Sequence, residues 1–251
     1  MIKLRASRVE LARLCPMSMR PGGVQSTSEP ARMGTAVHAA LAEYVMNRPF
    51  EFAHVAGQNG VSDLEELRIL FNCGVSILKQ LREDYGLFND CWVEAYSQCS
   101  IEQVLALSGH ADVMEVARED AKTIHLLDWK TGRERKTSYD QLATYAYLIL
   151  HDERLASAGI EEVVPITAWI RDREIEIGAA FTRENLDEWL KAMLADLNRD
   201  VFCPGHHCTF CPYNHTCEAL NNKNKSALAI FRDLNPAEMT PAELAPIIAA
   251  R

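Results

Sequence analysis

The stretch TIHLLDWK, residues 123–130, is an apolar run of β-branched and bulky residues that ends on an acid, an aromatic and a lysine. Its length and composition read as a buried strand. Side chains two apart on a strand share a face, so Asp128 and Lys130 project side by side at its end. A buried strand ending on two such charges constrains the fold around it, because each needs a partner or a task.

The segments before this strand are helical. Residues 7–14 read as a short helix that Pro16 closes, with Ser7 as N-cap, and the Gly/Ser/Pro-rich 20–31 reads as a mobile loop. ARMGTAVHAALAEYVMN (31–47) carries an apolar stripe of Val37, Leu41, Tyr44 and Val45. VSDLEELRILFNCGVSILKQLREDYG repeats Leu64, Leu67, Phe71, Val75, Leu78 and Leu81 at helical spacing. From Trp92 the period changes to strands: 92–105, then 108–117, with the polar turn REDAK predicting an antiparallel hairpin into 123–130. A helix over 139–155, strands over 162–170 and 173–181 and a helix after Thr182 follow, and NPAEM and TPAEL each read as a fresh helix start. This order predicts an α/β fold with a mixed central sheet.

Charge and length set outer bounds. The 251 residues carry a formal net charge of −9, so any nucleic-acid surface has to be local rather than general. No apolar run reaches membrane-spanning length, and MIKLRASRVELARLCP lacks the apolar core of a signal peptide, so a cytoplasmic protein is expected. In a reducing compartment the eight cysteines are poor disulfide candidates. Cys73, Cys91 and Cys99 read as small buried hydrophobes. Core packing does not account for Cys203, Cys208, Cys211 and Cys217, which crowd into fifteen residues.

Three more elements join Asp128 and Lys130. His38 borders the apolar stripe of GTAVHAALAE; Asp112 lies in GHADVM among apolar neighbours, where a carboxylate is costly unless paired or metal-bound; Gln141 and Tyr145 in QLATYAYL are four apart on one helical face. Asp112 and Asp128 from adjacent strands can hold Mg²⁺ or Mn²⁺, and Lys130 beside them can orient or deprotonate a water and neutralise charge on a phosphate. Arg133, Arg135 and Lys136 then supply phosphate contacts, with Arg171 and Arg173 as further candidates.

In combination and order, these motifs resemble the PD-(D/E)XK nuclease superfamily, specifically its RecB-like exonuclease branch. The resemblance implies a restriction-endonuclease-like mixed sheet flanked by helices. It also implies His38, Asp112 and Asp128 as metal ligands, Lys130 as the catalytic lysine, and Gln141 with Tyr145 as an accessory pair. Cys15 with Cys208, Cys211 and Cys217 is similar to the cysteine set of the iron–sulfur nucleases of this branch, among them the CRISPR-adaptation nuclease, where four thiolates hold a [4Fe–4S] cluster that clasps the chain ends. Cys203, His206, His207 and His215 leave a Cys₃His zinc site open as the alternative. The resulting expectation is one nuclease domain over 1–222, clasped by a cysteine-rich cluster-binding segment, with a helical tail over 223–251. Its function would be a metal-dependent DNA exonuclease on single-stranded or frayed ends, in repair, recombination or CRISPR adaptation. A DNA-end-binding subunit that hands DNA to a partner, such as an integrase or helicase, is the alternative.

Overall fold

A computed structural model describes residues 2–20, 23, 28–101, 105–118, 121–133, 138–233 and 240, with backbone alone at 210 and 227–233. The helix starts expected at 235–239 and 240–244 lie outside these, apart from Thr240. The chain divides into two compact units, residues 1–10 with 27–192 and residues 11–26 with 193–251.

Among the described residues, the first unit holds a mixed sheet of seven strands. They are β1 (Ile2–Arg5), β2 (Trp92–Ile101), β3 (Leu105–Val116), β4 (Thr123–Lys130), β5 (Glu162–Trp169), β6 (Glu174–Ile177) and β7 (Phe181–Thr182). The path runs β1-β3-β4-β5-β6, with β2 also on β3 and β7 also on β5. β3 and β4 are antiparallel, as the polar composition of 118–122 predicts, in a register from Val113↔Leu127 to Val116↔Ile124. β4 and β5 are parallel, from Thr123↔Glu162 to Lys130↔Trp169. Pro165 would cost β5 a ladder bond, and it sits between the stretches that pair with β7 and with β6.

Helices cover both faces. α2 (Glu29–Val45), α3 (Phe52–Asn59) and α4 (Leu64–Asp84) bury Met33, Leu41, Leu67, Leu78 and Leu81 against Val113, Leu127, Trp129 and Ile166. Each large side chain so buried contributes about 1.5–3 kcal/mol. Asp128 and Lys130 alternate with Leu127 and Trp129, so they look to the opposite face, where α5 (Tyr139–Leu150) lies. α5 is buried from Leu142 to Leu150, and Trp189 on α7 (Arg183–Leu197) donates to Asp140 (2.9 Å). The cap expected at Thr182 is reciprocal: Asn185 N–H donates to Thr182 Oγ1 (3.5 Å) and Thr182 N–H to Asn185 Oδ1 (3.1 Å).

Two elements go beyond the sequence reading. β1 has a single buried residue, Leu4, and owes its extended state to parallel pairing with 105–108. α3 forms where Phe50, Phe52, Tyr44 and Phe71 pack edge to face, with ring centroids 5.1–5.7 Å apart. Of the three cysteines read as core, Cys73 is buried, whereas Cys91 and Cys99 are partly exposed near strand β2, whose outer side is open to solvent.

In the second unit α1 (Ala6–Leu14), shared with the first, leads into a 3₁₀ turn at Pro16–Met19. Arg13 Nε pairs with Asp196 (2.8 Å), the Arg20 guanidinium lies over the Phe202 ring (4.8 Å), and Tyr213 O–H donates to the Arg20 carbonyl. These contacts join residues near the two ends of the sequence. A 3₁₀ turn at His206–Phe210 and helix α8 (Glu218–Asp233) complete the described part.

Candidate active site

The site begins where β3 and β4 part. Their ladder ends at Val113↔Leu127, and Asp112 and Asp128 are the next residues beyond it. The Asp112 carboxylate takes over there: Trp129 N–H donates to Oδ2 (2.8 Å), and Oδ1 meets His38 Nδ1 of α2 (3.0 Å). One acid thus ties two strands and a helix together. The His38 ring keeps 27% of its side-chain surface exposed. Its surroundings disfavour the charged ring, but Asp112, then Asp128 and Glu94, outweigh that and raise its pKa.

Asp128 is 2% exposed. Burial, its largest influence, raises its pKa; Lys130 opposes this and Asp112 adds to it. Lys130 Nζ stands 2.7 Å from Asp128 Oδ2, an ion-pair distance without hydrogen-bond angles, so that buried oxygen has no hydrogen bond among the described residues. Gln141 uses both ends of its amide. Oε1 accepts from Lys130 Nζ (2.9 Å), while Nε2 donates to the Tyr145 hydroxyl (3.0 Å) and more weakly to Asp128 Oδ1 (3.4 Å). The helical spacing of Gln141 and Tyr145 becomes a direct contact. Burial, then the Asp128 charge, pushes the Tyr145 phenol well above its usual range.

Two motif glycines make room for this cluster. A Cβ on Gly34, one helical turn before His38, would lie 2.8 Å from Thr131 Oγ1. A Cβ on Gly109 would lie 2.6 Å from the Tyr145 ring. Both positions bring a helix closer to the strands than any side chain permits.

The structure adds a carboxylate that the motifs do not contain. Glu94 on β2 lies between the pairs Val93↔Val113 and Ala95↔Ala111, which sets it opposite Asp112. Its φ of 49° is in the left-handed region, uncommon for this residue type. Burial and then Asp112 raise its pKa, and His38 acts the other way. In WVEAY only alternation is legible; the neighbour of Glu94 depends on strand register.

His38, Asp112 and Asp128 form one electrostatic cluster, but among the described residues no group of three or more His, Cys, Asp or Glu is arranged to hold a metal ion. Their donor chemistry, two carboxylates and an imidazole, fits Mg²⁺ or Mn²⁺. Arg133 is exposed, whereas Arg135 and Lys136 lie outside the described residues. Arg171 is engaged inside the fold, paired with Glu66 (2.6 Å) and donating to the Thr131 carbonyl (2.8 Å), and Arg173 donates to Cys73 Sγ (3.3 Å). Arg171 is half-buried and Arg173 exposed, so both stay candidates for phosphate contact beside these partners.

A family model for PD-(D/E)XK nucleases matches residues 4–218. The chain belongs to the PD-(D/E)XK nuclease superfamily. The match takes in every site residue described above as well as the cysteine-rich segment. No curated protein matches the chain. Among solved structures it is similar to the protein SSO0001 (14% identity, 88% of this chain and 87% of that one, TM-score 0.40). It is also similar to a candidate exonuclease of Eubacterium rectale (11% identity, 88% of each chain, TM-score 0.46). Likenesses this distant do not bear on what this PD-(D/E)XK protein does. No helix among its described residues is long and apolar enough to cross a membrane.

In the second unit Cys15, Cys203, Cys208, Cys211, Cys217 and His207 line one cavity of about 20 Å³. None of the eight cysteines is joined in a disulfide, and Gly205 N–H donates to Cys208 Sγ (3.3 Å).

Proposed function

We propose that the chain is a metal-dependent deoxyribonuclease that hydrolyses phosphodiester bonds as an exonuclease on single-stranded or frayed DNA ends. One observation carries this reading: a buried carboxylate, Asp128, is held against Lys130, which a glutamine amide and a tyrosine fix in place. A binding scaffold has no need of that arrangement. Burying two charges is costly, and replacing such a pair by neutral groups is often neutral or stabilising by about 1–4 kcal/mol. A DNA-end-binding subunit would gain nothing from carrying it.

In this reading Asp112, Asp128 and His38 hold Mg²⁺ or Mn²⁺, which when bound supplies Lewis acidity at the phosphate. His38 also keeps Asp112 oriented. Lys130 orients a water for in-line attack on phosphorus and neutralises charge that develops on the phosphoryl oxygens. Gln141 aims Lys130, and Tyr145 fixes the rotamer of Gln141. Attack forms one P–O bond and breaks another; the attacking water gives its proton to solvent and the departing oxygen takes one from solvent, with no covalent intermediate on the protein. Arg133, with Arg135 and Lys136, contacts phosphates beyond the site. Repair, recombination or CRISPR adaptation, alongside an integrase or helicase, are settings that such an activity suits.

We read the cysteines around the cavity of the second unit as ligands of a structural metal. Cys15, Cys208, Cys211 and Cys217 supply the thiolates that a [4Fe–4S] cluster takes, from segments near both ends of the sequence. Zinc is the second reading. The cavity of about 20 Å³ holds roughly one water, a size nearer a single tetrahedral ion than a cluster, and His207 offers a nitrogen ligand.

The decisive experiment uses single strands and duplexes labelled at either end, with Mg²⁺ or Mn²⁺. Stepwise shortening is expected from wild-type protein, and none with EDTA or with Asp128→Ala or Lys130→Ala. Equal cleavage by Lys130→Ala would overturn the reading.

A further inference from the structure

β2 is an edge strand that pairs, among the described residues, only with β3. Its residues alternate between exposed and half-buried, with Trp92, Glu94, Tyr96 and Gln98 on the exposed side. Two of these are large aromatics, Trp92 at 48% and Tyr96 at 52% exposed. Rings of this size usually dominate a core or an interface. Four residues of strand separate them by about 13 Å.

The Tyr96 ring is held in place. Its cross-strand partner is His110, and the two rings lie 4.8 Å apart at 44°. Its hydroxyl donates to Gln98 Oε1 (3.0 Å). His110 precedes Asp112 by two residues, so this aromatic pair sits about 7 Å along the strands from the proposed metal-binding acid. The strand WVEAYSQCSI contains no lysine or arginine, and its one charge, Glu94, repels phosphate. A neutral, flat partner fits such a surface.

We infer that Tyr96, backed by His110, and Trp92 form a base-stacking platform that holds unpaired nucleobases of a DNA single strand beside the active site. The inference rests on the nuclease reading and deepens it by naming the form of substrate. Stacking on an aromatic side chain needs an open base face, which a paired base inside a duplex does not offer. The platform therefore selects single-stranded or frayed ends. Phosphates are contacted elsewhere, from the Arg133 side. Neither residue touches the reacting atoms; both position the strand.

Trp92 supplies its own reporter, because Trp129, Trp169 and Trp189 are only 2–5% exposed. Full-length protein in EDTA is titrated with single-stranded oligothymidylate and with an abasic strand of the same length. Oligothymidylate should quench tryptophan emission, and Trp92→Phe should remove the quench. Tyr96→Ala should weaken binding of oligothymidylate by about 5- to 100-fold and raise KM more than it lowers kcat, while Tyr96→Phe retains binding. The abasic strand should bind wild type and Tyr96→Ala alike. Equal wild-type affinity for the two strands overturns the platform, as does a mass that rises with concentration in wild type but not in Tyr96→Ala, which would make the face a contact between copies. The wild-type quench decides the matter even where a variant does not fold. Cleavage of single strands without quenching removes the platform alone; absence of binding and cleavage on every DNA removes the nuclease reading beneath it.

Discussion

Gly34 and Thr131 approach so closely that a methyl group on the glycine would lie 2.8 Å from Thr131 Oγ1 but 4.0 Å from Thr131 Cβ. The hydroxyl alone is in the way. Gly34→Ala should destabilise by about 1–3 kcal/mol through overpacking and should slow hydrolysis, because α2 also carries His38. Thr131→Ala in the same chain should restore both. Melting temperature and cleavage rate of the two variants check this, and no rescue would place the cost elsewhere.

Asp128 is buried, and burial is the largest influence on its carboxylate. Asp128→Asn keeps the shape and removes the charge, while Lys130, with 20% of its side chain exposed, can turn to water. Hydrolysis should be lost as Tm, measured in EDTA, rises by about 2–4 °C, the equivalent of roughly 1 kcal/mol. A lower Tm would mean that the ion pair outweighs the burial cost.

Gln141 spends both ends of its amide on Lys130 and Tyr145. Gln141→Leu frees Lys130, and misplacing a catalytic group by about 1 Å costs on the order of 10²-fold in rate. The loss should fall on kcat with little change in KM. Tyr145→Phe removes one acceptor worth about 0.5–1.5 kcal/mol, so its effect should be only several-fold. Steady-state kinetics on one labelled strand separates these outcomes.

Glu115 tests the scaffold rather than the site. It is buried, and its two oxygens accept from Phe88 N–H and from Asn89 N–H (3.1 Å), holding Phe88 in a left-handed conformation at φ 60°. Hydrogen bonds to a charged group contribute about 1.5–3 kcal/mol each. Glu115→Ala should lower Tm by several degrees and leave the KM for DNA unchanged.

The cysteine cavity predicts a metal that comes with folding. Anaerobically purified protein should contain either iron with sulfide or one zinc, and elemental analysis distinguishes them. Cys15→Ser should lose that metal and lower Tm before it lowers the hydrolysis rate, since no thiolate touches the phosphate. Finding neither metal would leave five cysteines around a cavity with no structural task.

The secondary structure and the motif order were legible in the chain because they depend on local spacing. A change of period marked β2 and β3, an apolar run marked β4, a period of 3.6 marked α2 and α4, and four-residue spacing placed Gln141 beside Tyr145. Strand pairing and helix approach, by contrast, act between residues far apart in sequence. They decided that Glu94 faces Asp112, that Asp112 replaces a ladder bond where β3 and β4 part, and that Gly34 and Gly109 admit Thr131 and Tyr145. They also decided which charges meet. Arg171 and Arg133 look alike in the sequence, yet Arg171 pairs with Glu66 105 residues away, and only a folded chain brings that carboxylate within 2.6 Å.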